Sequence, residues 1–229
     1  MSNSIVRQLV KKDFLIMRKT ILIFCVINIA AIAIVSLLLG KVPNWAFINL
    51  AFTLFVASSM TCGIMMLFKT IVMEKVKSTQ PFIMSLPLTV KEFTVAKLLV
   101  NLPITSAFWL ITSLAAFYFA FGLGVFPYGT IPFLTMIFLG VFLAYICILS
   151  TSLLFQSHGI TILAILFFEL TTSAYLWVVA YLQPISTYVY GPVSVWNSTA
   201  ITVVTTQVLA AISVILLTLY IQNNKRDFI

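Results

Sequence analysis

The chain has 229 residues, of which 62% are hydrophobic and only 8% are charged, and its mean hydropathy is +1.16. Soluble domains carry about 25% charged residues, so this composition excludes a soluble globular enzyme, a disordered chain and a secreted disulfide scaffold. The net charge of +8 would suggest nucleic-acid binding in a soluble protein, but in a membrane protein it has to be tested first as a topology signal.

The first predicted element is an amphipathic helix over about residues 4–19. Apolar side chains recur there at helical spacing, with Asp13 among them, and the basic residues lie mostly elsewhere. This pattern is typical of an elbow helix that lies along the inner leaflet and leads into the first span. The alternative is an ordinary basic flank that fixes topology. We favour the elbow, because Phe14 to Met17 would otherwise be exposed to water.

Six apolar stretches are long enough to cross a bilayer, for which a helix needs about 20 residues. They cover about residues 21–39, 45–68, 98–121, 131–155, 160–182 and 199–221. The predicted fold is therefore an all-α membrane protein with a single transmembrane domain over residues 1–229. A transmembrane barrel is excluded, because barrel strands are about ten residues long and alternate in polarity.

The positive charges predict the orientation of these spans. Twelve of the thirteen Lys and Arg residues lie on one side of the six-span arrangement, and Lys41 alone lies on the other. Because basic residues mark the cytoplasmic side, we expect both termini in the cytoplasm of a multi-pass protein of the cell membrane. The charge then needs no nucleic-acid partner to explain it.

The segment between the second and third spans, about residues 69–97, is the largest piece predicted outside the bilayer. Ser78 or Thr79 can cap a short helix within it. The apolar face of this helix would comprise Phe82, Ile83 and Leu86. Two interpretations stay open, because an amphipathic helix suits both: the helix docks a soluble partner, or it lies on the inner leaflet.

The third predicted span is preceded by a helix start. Thr89 and Glu92 have the spacing of a capping box, in which each side chain accepts a hydrogen bond from the other residue's backbone amide. We therefore expect a helix that begins next to Thr89 and continues into the span.

Glu169 lies near the middle of the fifth span, where a carboxylate is costly. Intramembrane acids usually face the interior of a helix bundle and mark a pathway or a relay. The alternative is a neutral Glu bonded to a hydroxyl across a helix interface, and both interpretations stay open.

Neither a catalytic residue nor a metal site is predicted, so we do not expect an enzyme. His158 is the only histidine, and Asp13 and Asp227 both lie near the termini. A metalloprotease needs clustered ligands and an aspartyl protease needs paired Asp in its spans. A phosphate-binding loop of the form GxxxxGK[ST] does not occur in the sequence.

Four short motifs flank the predicted cytoplasmic ends of the first three spans. They are Lys12-Asp13-Phe14, Glu74-Lys75-Val76-Lys77-Ser78-Thr79, Met84-Ser85-Leu86-Pro87-Leu88-Thr89 with Glu92, and Ala96-Lys97. Together with the six spans, they make the chain resemble the permease subunits of ABC-2-type ABC transporters. Gly is frequent in that family where this chain has Ser78. In size and general appearance the chain resembles Gram-positive exporters of amphipathic peptides, including the exporters of phenol-soluble modulins.

The resemblance implies a coupling helix in the loop, received by a separate ABC ATPase subunit. The residues implied at this contact are Glu74, Ser78, Thr79, Phe82, Ile83 and Leu86. It further implies a second permease subunit, identical or different, and ATP-driven export of a hydrophobic or amphipathic peptide, lipid or drug across a bacterial plasma membrane. This chain would then hold no cofactor, because ATP and Mg²⁺ would bind to the partner subunit.

Two other classes of function remain as alternatives. One is the substrate-binding membrane component of a vitamin importer, which also has about six spans and lacks an ATPase motif. The other is a membrane scaffold without transport activity.

Overall fold

The computed structural model of the chain describes residues 2–76 and 89–224. Within these ranges the structure is helical and contains no strand. Six helices are long and apolar enough to span a membrane. The predicted all-α fold is therefore confirmed for the described residues, and the six long apolar helices agree with the six predicted spans and indicate a multi-pass membrane protein.

Eight α-helices are described, and each long one contains most of one predicted span. They are α1 (Ser2–Leu38), α2 (Asn44–Leu67), α3 (Met73–Val76), α4 (Val90–Phe117), α5 (Ile131–Phe155), α6 (His158–Tyr181), α7 (Gln183–Ser186) and α8 (Ser198–Asn224). A π-helical turn over Phe68–Val72 joins α2 to α3, and another over Tyr118–Gly122 extends α4. A 3₁₀ turn over Tyr128–Thr130 precedes α5.

The central helix of the bundle is α5. It packs against α6 and α8 and also against α2, while α1, α2 and α4 pack on one another. The most apolar segment of α5 is 61% buried, whereas those of α6 and α8 are each 11% buried. The last two long transmembrane helices therefore leave large apolar faces uncovered.

Helix α1 is a single helix of 37 residues. Its buried face recurs every three or four residues through Leu9, Asp13, Met17, Thr20, Phe24, Asn28, Ala31 and Val35. This face packs against α2 and α4. The structure therefore does not show the predicted elbow over residues 4–19 as a helix of its own, because one buried face continues from that segment into the first span. Phe14, Leu15 and Ile16 remain exposed.

Gly63 allows α2 to approach α4 and α5 closely. A Cβ atom at this position would lie 2.6 Å from Cε2 of Tyr145 and 2.8 Å from Cγ2 of Thr105. Tyr145 is fully buried, and its hydroxyl accepts a hydrogen bond from Oγ1 of Thr105 at 2.9 Å. Small residues commonly form such crossings between membrane helices, because they let the backbones come close.

The bundle has two distinguishable ends. We call one the charged end; it contains the start of α1, the turn Phe68–Val72, α3 and the start of α4. At the opposite end, which we call the loop end, the amide of Gly129 donates to the carbonyl oxygen of Gly191 at 3.0 Å. There, too, Oγ1 of Thr130 donates to the carbonyl oxygen of Val189 at 2.9 Å. The loop before α5 and the loop before α8 are thus bonded to each other.

Replacing Gly63 by Ala is expected to lower the free energy of unfolding by about 1–3 kcal/mol, because the added methyl group overpacks the crossing with Tyr145 and Thr105. Gly159→Ala is the matched control, since a Cβ atom there meets no described atom within 4 Å and lies in the first turn of α6. That variant should unfold at the same temperature as the wild type or slightly higher. Thermal unfolding in detergent measures both, and equal losses in the two variants would contradict the tight crossing.

Candidate functional site

The ammonium group of Lys97 is fully buried at the charged end. Its Nζ atom lies 2.8 Å from Oδ2 of Asp13 and 2.7 Å from Oε2 of Glu74. It also donates to the carbonyl oxygen of Thr70 at 2.6 Å. The contacts to Asp13 and Thr70 are hydrogen bonds, and the contact to Glu74 is an ion pair. Helix α1, the segment that leaves α2, and α4 therefore meet at a single cation.

The ring of Phe93 lies near this cation. The Nζ atom of Lys97 is 5.1 Å from the ring centroid, which is within the range of a cation–π interaction. Phe93 is itself buried and packs with Leu9 and Ala96. The apolar contact between α1 and α4 thus adjoins the ion pairs on the side of Lys97, which is fully buried.

Lys12 supplies the second cation of the cluster. Its Nζ atom pairs with Oε1 of Glu74 and lies 3.2 Å from Oδ1 of Asp13. The two lysines balance the two carboxylates, so the formal charge of the cluster is zero. Neutrality matters because an isolated buried charge is strongly disfavoured, whereas a compensated and hydrogen-bonded group of charges is tolerated. We refer to Lys12, Asp13, Glu74 and Lys97 as the ionic cluster.

A π-helical turn provides one of the acceptors of the ionic cluster. Thr70, whose carbonyl oxygen binds Lys97, lies in the turn Phe68–Val72. Such turns depart from the regular α-helical bonding pattern and often occur at functional sites. Here the turn connects α2 to α3, and the side chain of Lys97 on α4 donates a hydrogen bond to the backbone carbonyl oxygen of Thr70 in the turn.

Polar side chains continue from the ionic cluster along α4. Lys97, Asn101 and Thr105 recur every four residues, so they share one face of the helix. The Nδ2 atom of Asn101 donates to Oγ1 of Thr70 at 3.0 Å and to the carbonyl oxygen of Lys97 at 2.9 Å. One turn further, Thr105 donates to the hydroxyl of Tyr145 on α5. A hydrogen-bonded row therefore leads from the charged end toward the centre of the bundle.

Only one of the six residues predicted to contact an ATPase subunit is described. Ser78, Thr79, Phe82, Ile83 and Leu86 lie outside the described residues. Glu74 is described, and its carboxylate is buried in ion pairs with Lys12 and Lys97. In this structure Glu74 thus interacts within the chain and is not displayed on a surface for a direct contact.

The predicted capping box at the start of α4 is confirmed. Oγ1 of Thr89 accepts a hydrogen bond from the amide of Glu92 at 3.2 Å, and the amide of Thr89 donates to Oε2 of Glu92 at 2.9 Å. The start of α4 is therefore well defined immediately after residues 77–88. The sequence signal was specific because the two side chains need a spacing of three residues.

Glu169 occupies an exposed position on α6. Within these six helices Glu169 does not face the interior of the bundle. Among the described residues, none forms a hydrogen bond or an ion pair with its carboxylate. The nearby hydroxyls of Thr171 and Thr172 donate to the carbonyl oxygens of Phe167 and Phe168 on their own helix. A bond from Glu169 to a hydroxyl across a helix interface is therefore not observed in this part of the chain.

An apolar cavity of about 270 Å³ lies between α2, α4 and α5 in the half of the bundle near the loop end. Seven phenylalanines line it, among them Phe47, Phe55 and Phe119, and no charged residue belongs to its described lining. Two of these rings, Phe55 and Phe119, stack with centroids 6.0 Å apart. The cavity offers hydrophobic contact and few hydrogen-bond partners.

The ionic cluster unites residues that look unrelated in the sequence. There, Lys12 and Lys97 are topology charges and Asp13 is an acid near a terminus. The one signal that points to the cluster is the position of Asp13 among the apolar residues of an amphipathic helix. A carboxylate on the buried face of a helix requires a compensating cation from another element.

Comparison of the chain with family models, with curated proteins and with solved structures finds no match. The resemblance to ABC-2-type permeases therefore rests on the motif residues. Three of the four motifs contribute a side chain to the ionic cluster, namely Lys12 and Asp13, Glu74, and Lys97. The fourth contributes Thr89 and Glu92, which form the capping box.

Replacing Lys97 by Met is expected to lower the free energy of unfolding by about 3–5 kcal/mol, because Asp13 and Glu74 stay buried with only Lys12 to compensate their two charges. Lys91→Met is the matched control, since Lys91 is exposed on the same helix and should change stability by no more than about 0.5 kcal/mol. Thermal unfolding in detergent compares the two.

A double variant tests the role of charge balance. Combining Lys97→Met with Glu74→Gln leaves Lys12 and Asp13 as a neutral pair, so part of the lost stability should return. If Lys97→Met were as stable as Lys91→Met, or if the double variant were the sum of its parts, the cluster would not act as one unit.

Proposed function

We propose that the chain is the membrane-spanning subunit of an ABC-2-type exporter for hydrophobic or amphipathic cargo, and that a separate ATPase subunit supplies the energy. The observation that carries this proposal is the ionic cluster. Three motifs of the resemblance meet there, at the base of residues 77–88, where the resemblance implies a coupling helix. In this proposal the charged end and both termini face the cytoplasm, in line with the distribution of positive charges.

The ionic cluster joins the two ends of the chain segment that contains the implied coupling helix. Glu74 precedes residues 77–88 and Lys97 follows them, and the two side chains pair at 2.7 Å. Asp13 attaches α1 to the same point. Breaking a buried ion pair by loss of one partner costs several kcal/mol. A push on the segment is therefore passed to α1, α2 and α4 together and does not merely bend a loop.

The polar row on α4 carries the same displacement deeper into the bundle. Asn101 bonds to the π-helical turn that leaves α2, and Thr105 bonds to Tyr145 on the central helix. Packed helices shift as bodies between discrete arrangements. The proposed motion is a rocking of the spans between inward-open and outward-open states when the ATPase subunits close on ATP.

The cargo class follows from the surface that the bundle leaves uncovered. The apolar faces of α6 and α8 are mostly exposed, so they are available to lipid or to a second subunit. Two such subunits, identical or different, would enclose a route between them and bind two ATPase subunits. Among the described residues, Glu169 is the only charged one near the middle of an apolar span, so hydrophobic and amphipathic molecules suit the route best.

Purification of the tagged full chain from its native membrane tests the proposal. We expect a subunit that contains a GxxxxGK[ST] motif and hydrolyses ATP to co-purify with it. Exchange of both Phe82 and Leu86 for Asp should abolish this association, because charged side chains would be forced into an apolar docking groove. Phe155→Asp is the matched control, since Phe155 is an exposed aromatic residue at the charged end, at the end of α5. It should leave the association intact.

Three outcomes of this experiment oppose the proposal. Retention of the ATPase by the Phe82 and Leu86 variant would overturn the coupling assignment. A tightly bound vitamin that survives purification would favour the importer component. Recovery of the intact chain with neither an ATPase nor a ligand would favour a scaffold.

A further inference from the structure

A cleft of about 460 Å³ lies between α1 and α4 at the charged end. Basic and apolar side chains line it, among them Arg7, Val10, Lys11 and Phe14 from α1 and Leu99 and Ile104 from α4. The four residues from α1 have the spacing i, i+3, i+4 and i+7, so they share one face of the helix. We call this cleft the basic cleft.

The basic cleft has an apolar part that follows the two helices into the membrane. Both α1 and α4 begin at the charged end, so they run in the same direction. Asp13 on α1 pairs with Lys97 on α4, and Phe14 and Leu99, which follow them closely in the sequence, therefore lie at a similar depth. Ile104 lies about 7.5 Å deeper than Leu99 along α4.

The charged part of the cleft lies at the level of lipid headgroups. Phe14 and Leu99 are exposed, so acyl chains cover this level of a bundle that spans the membrane. Lys11 and Arg7 lie about 4.5 and 10.5 Å further out along α1. A headgroup layer is about 5–8 Å thick, which places Lys11 within it and Arg7 at its outer edge. Arg18 lies deeper, and long basic side chains in such positions extend outward to the headgroups.

Arg7 and Lys11 carry a charge that the described residues do not compensate. The ion pairs of the charged end belong to the ionic cluster, and within the described ranges neither Arg7 nor Lys11 forms one. Glu92, the acid in the first turn of α4, is bonded to Thr89. Residues four apart on a helix have Cβ atoms about 5–6 Å apart. Arg7 and Lys11 are therefore close enough to bind the same phosphate group.

We propose that the basic cleft binds an anionic phospholipid from the leaflet that contacts the charged end. Arg7 and Lys11 bind the phosphate through charge-assisted hydrogen bonds. An acyl chain passes Phe14 and Leu99 toward Ile104. A zwitterionic lipid fits less well, because its headgroup brings an ammonium group next to two cations. The inference goes beyond the proposed function and requires only that a leaflet contacts this end of the bundle.

A general attraction of basic residues to an anionic leaflet does not explain the basic cleft. That attraction acts on every exposed cation of the charged end, Lys19 and Lys91 included, and does not depend on apolar neighbours. Arg7 and Lys11 differ because they share a cleft with apolar side chains from two helices. Binding in the cleft therefore depends on which cations are present, and not only on how many.

Native mass spectrometry of the full chain in detergent tests the site by titration with dioleoylphosphatidylglycerol or dioleoylphosphatidylcholine. We expect the first phosphatidylglycerol to bind at least about tenfold more tightly than the first phosphatidylcholine. Combining Arg7→Gln with Lys11→Gln should bring the two affinities to within about twofold of each other. Combining Lys19→Gln with Lys91→Gln is the matched control, since it removes the same charge from exposed positions outside the cleft. This control should keep the preference.

A second pair of variants tests the apolar part of the cleft. Phe14→Ala removes an acyl-chain contact and should weaken binding of phosphatidylglycerol by about threefold or more. Leu15→Ala is the matched control, because Leu15 is exposed next to Phe14 and does not line the cleft. It should bind phosphatidylglycerol as the wild type does. Equal unfolding temperatures of all variants in the absence of lipid establish that the losses are local.

Three results would overturn the inference. The first is equal affinity of the wild type for the two lipids. The second is an equal loss of preference in the two double variants, because surface charge alone would then account for binding. The third is displacement of phosphatidylglycerol by glycerol 3-phosphate at concentrations similar to that of the lipid, since the apolar part of the cleft would then contribute nothing.

Discussion

A buried ammonium group needs both acceptors and compensating charge, and Lys97 obtains them from three different elements. Asp13 on α1, Glu74 on α3 and the carbonyl oxygen of Thr70 lie within 2.6 to 2.8 Å of its Nζ atom. Because none of these acceptors lies on α4 itself, Lys97 can be satisfied only when α1 and the end of α2 take one position relative to α4. The arrangement of the charged end thus follows from the electrostatic requirements of a single side chain.

This requirement also explains the course of α1. Asp13 has to reach Lys97, while Phe24 and Val35 pack in clusters further along the same buried face. The distance from residue 13 to residue 35 is about 33 Å along a straight helix. A separate elbow lying on the leaflet would turn the early part of this face away from α4 and leave Lys97 without Asp13. The long unbroken helix and the ionic cluster are therefore one feature, and the π-helical turn that presents Thr70 belongs to it.

The sequence predicts the spans and one helix cap well, because both depend on short-range patterns. Apolar length identifies the six long helices, and the three-residue spacing of Thr89 and Glu92 identifies a capping box. The sequence does not predict the ionic cluster, since composition shows how many charges a segment carries and not which helix faces meet. Asp13 is the instructive case: its place on an apolar face indicates burial, but its partner is 84 residues away. The exposure of Glu169 could not be predicted for the same reason, because it depends on how α6 packs.

Glu74 and Glu169 are both glutamates in helices of the bundle, but their surroundings differ. Glu74 lies within reach of two lysines, and its burial is accompanied by neutrality. Glu169 lies on a helix whose apolar segment is only 11% buried, and no described residue compensates its charge. Burial of the first acid is compensated within the chain, whereas the second faces outward from the six helices. The electrostatic rule that determines the charged end therefore applies to an acid only where the packing of the helices removes it from solvent and lipid, which is the case for Glu74 and not for Glu169.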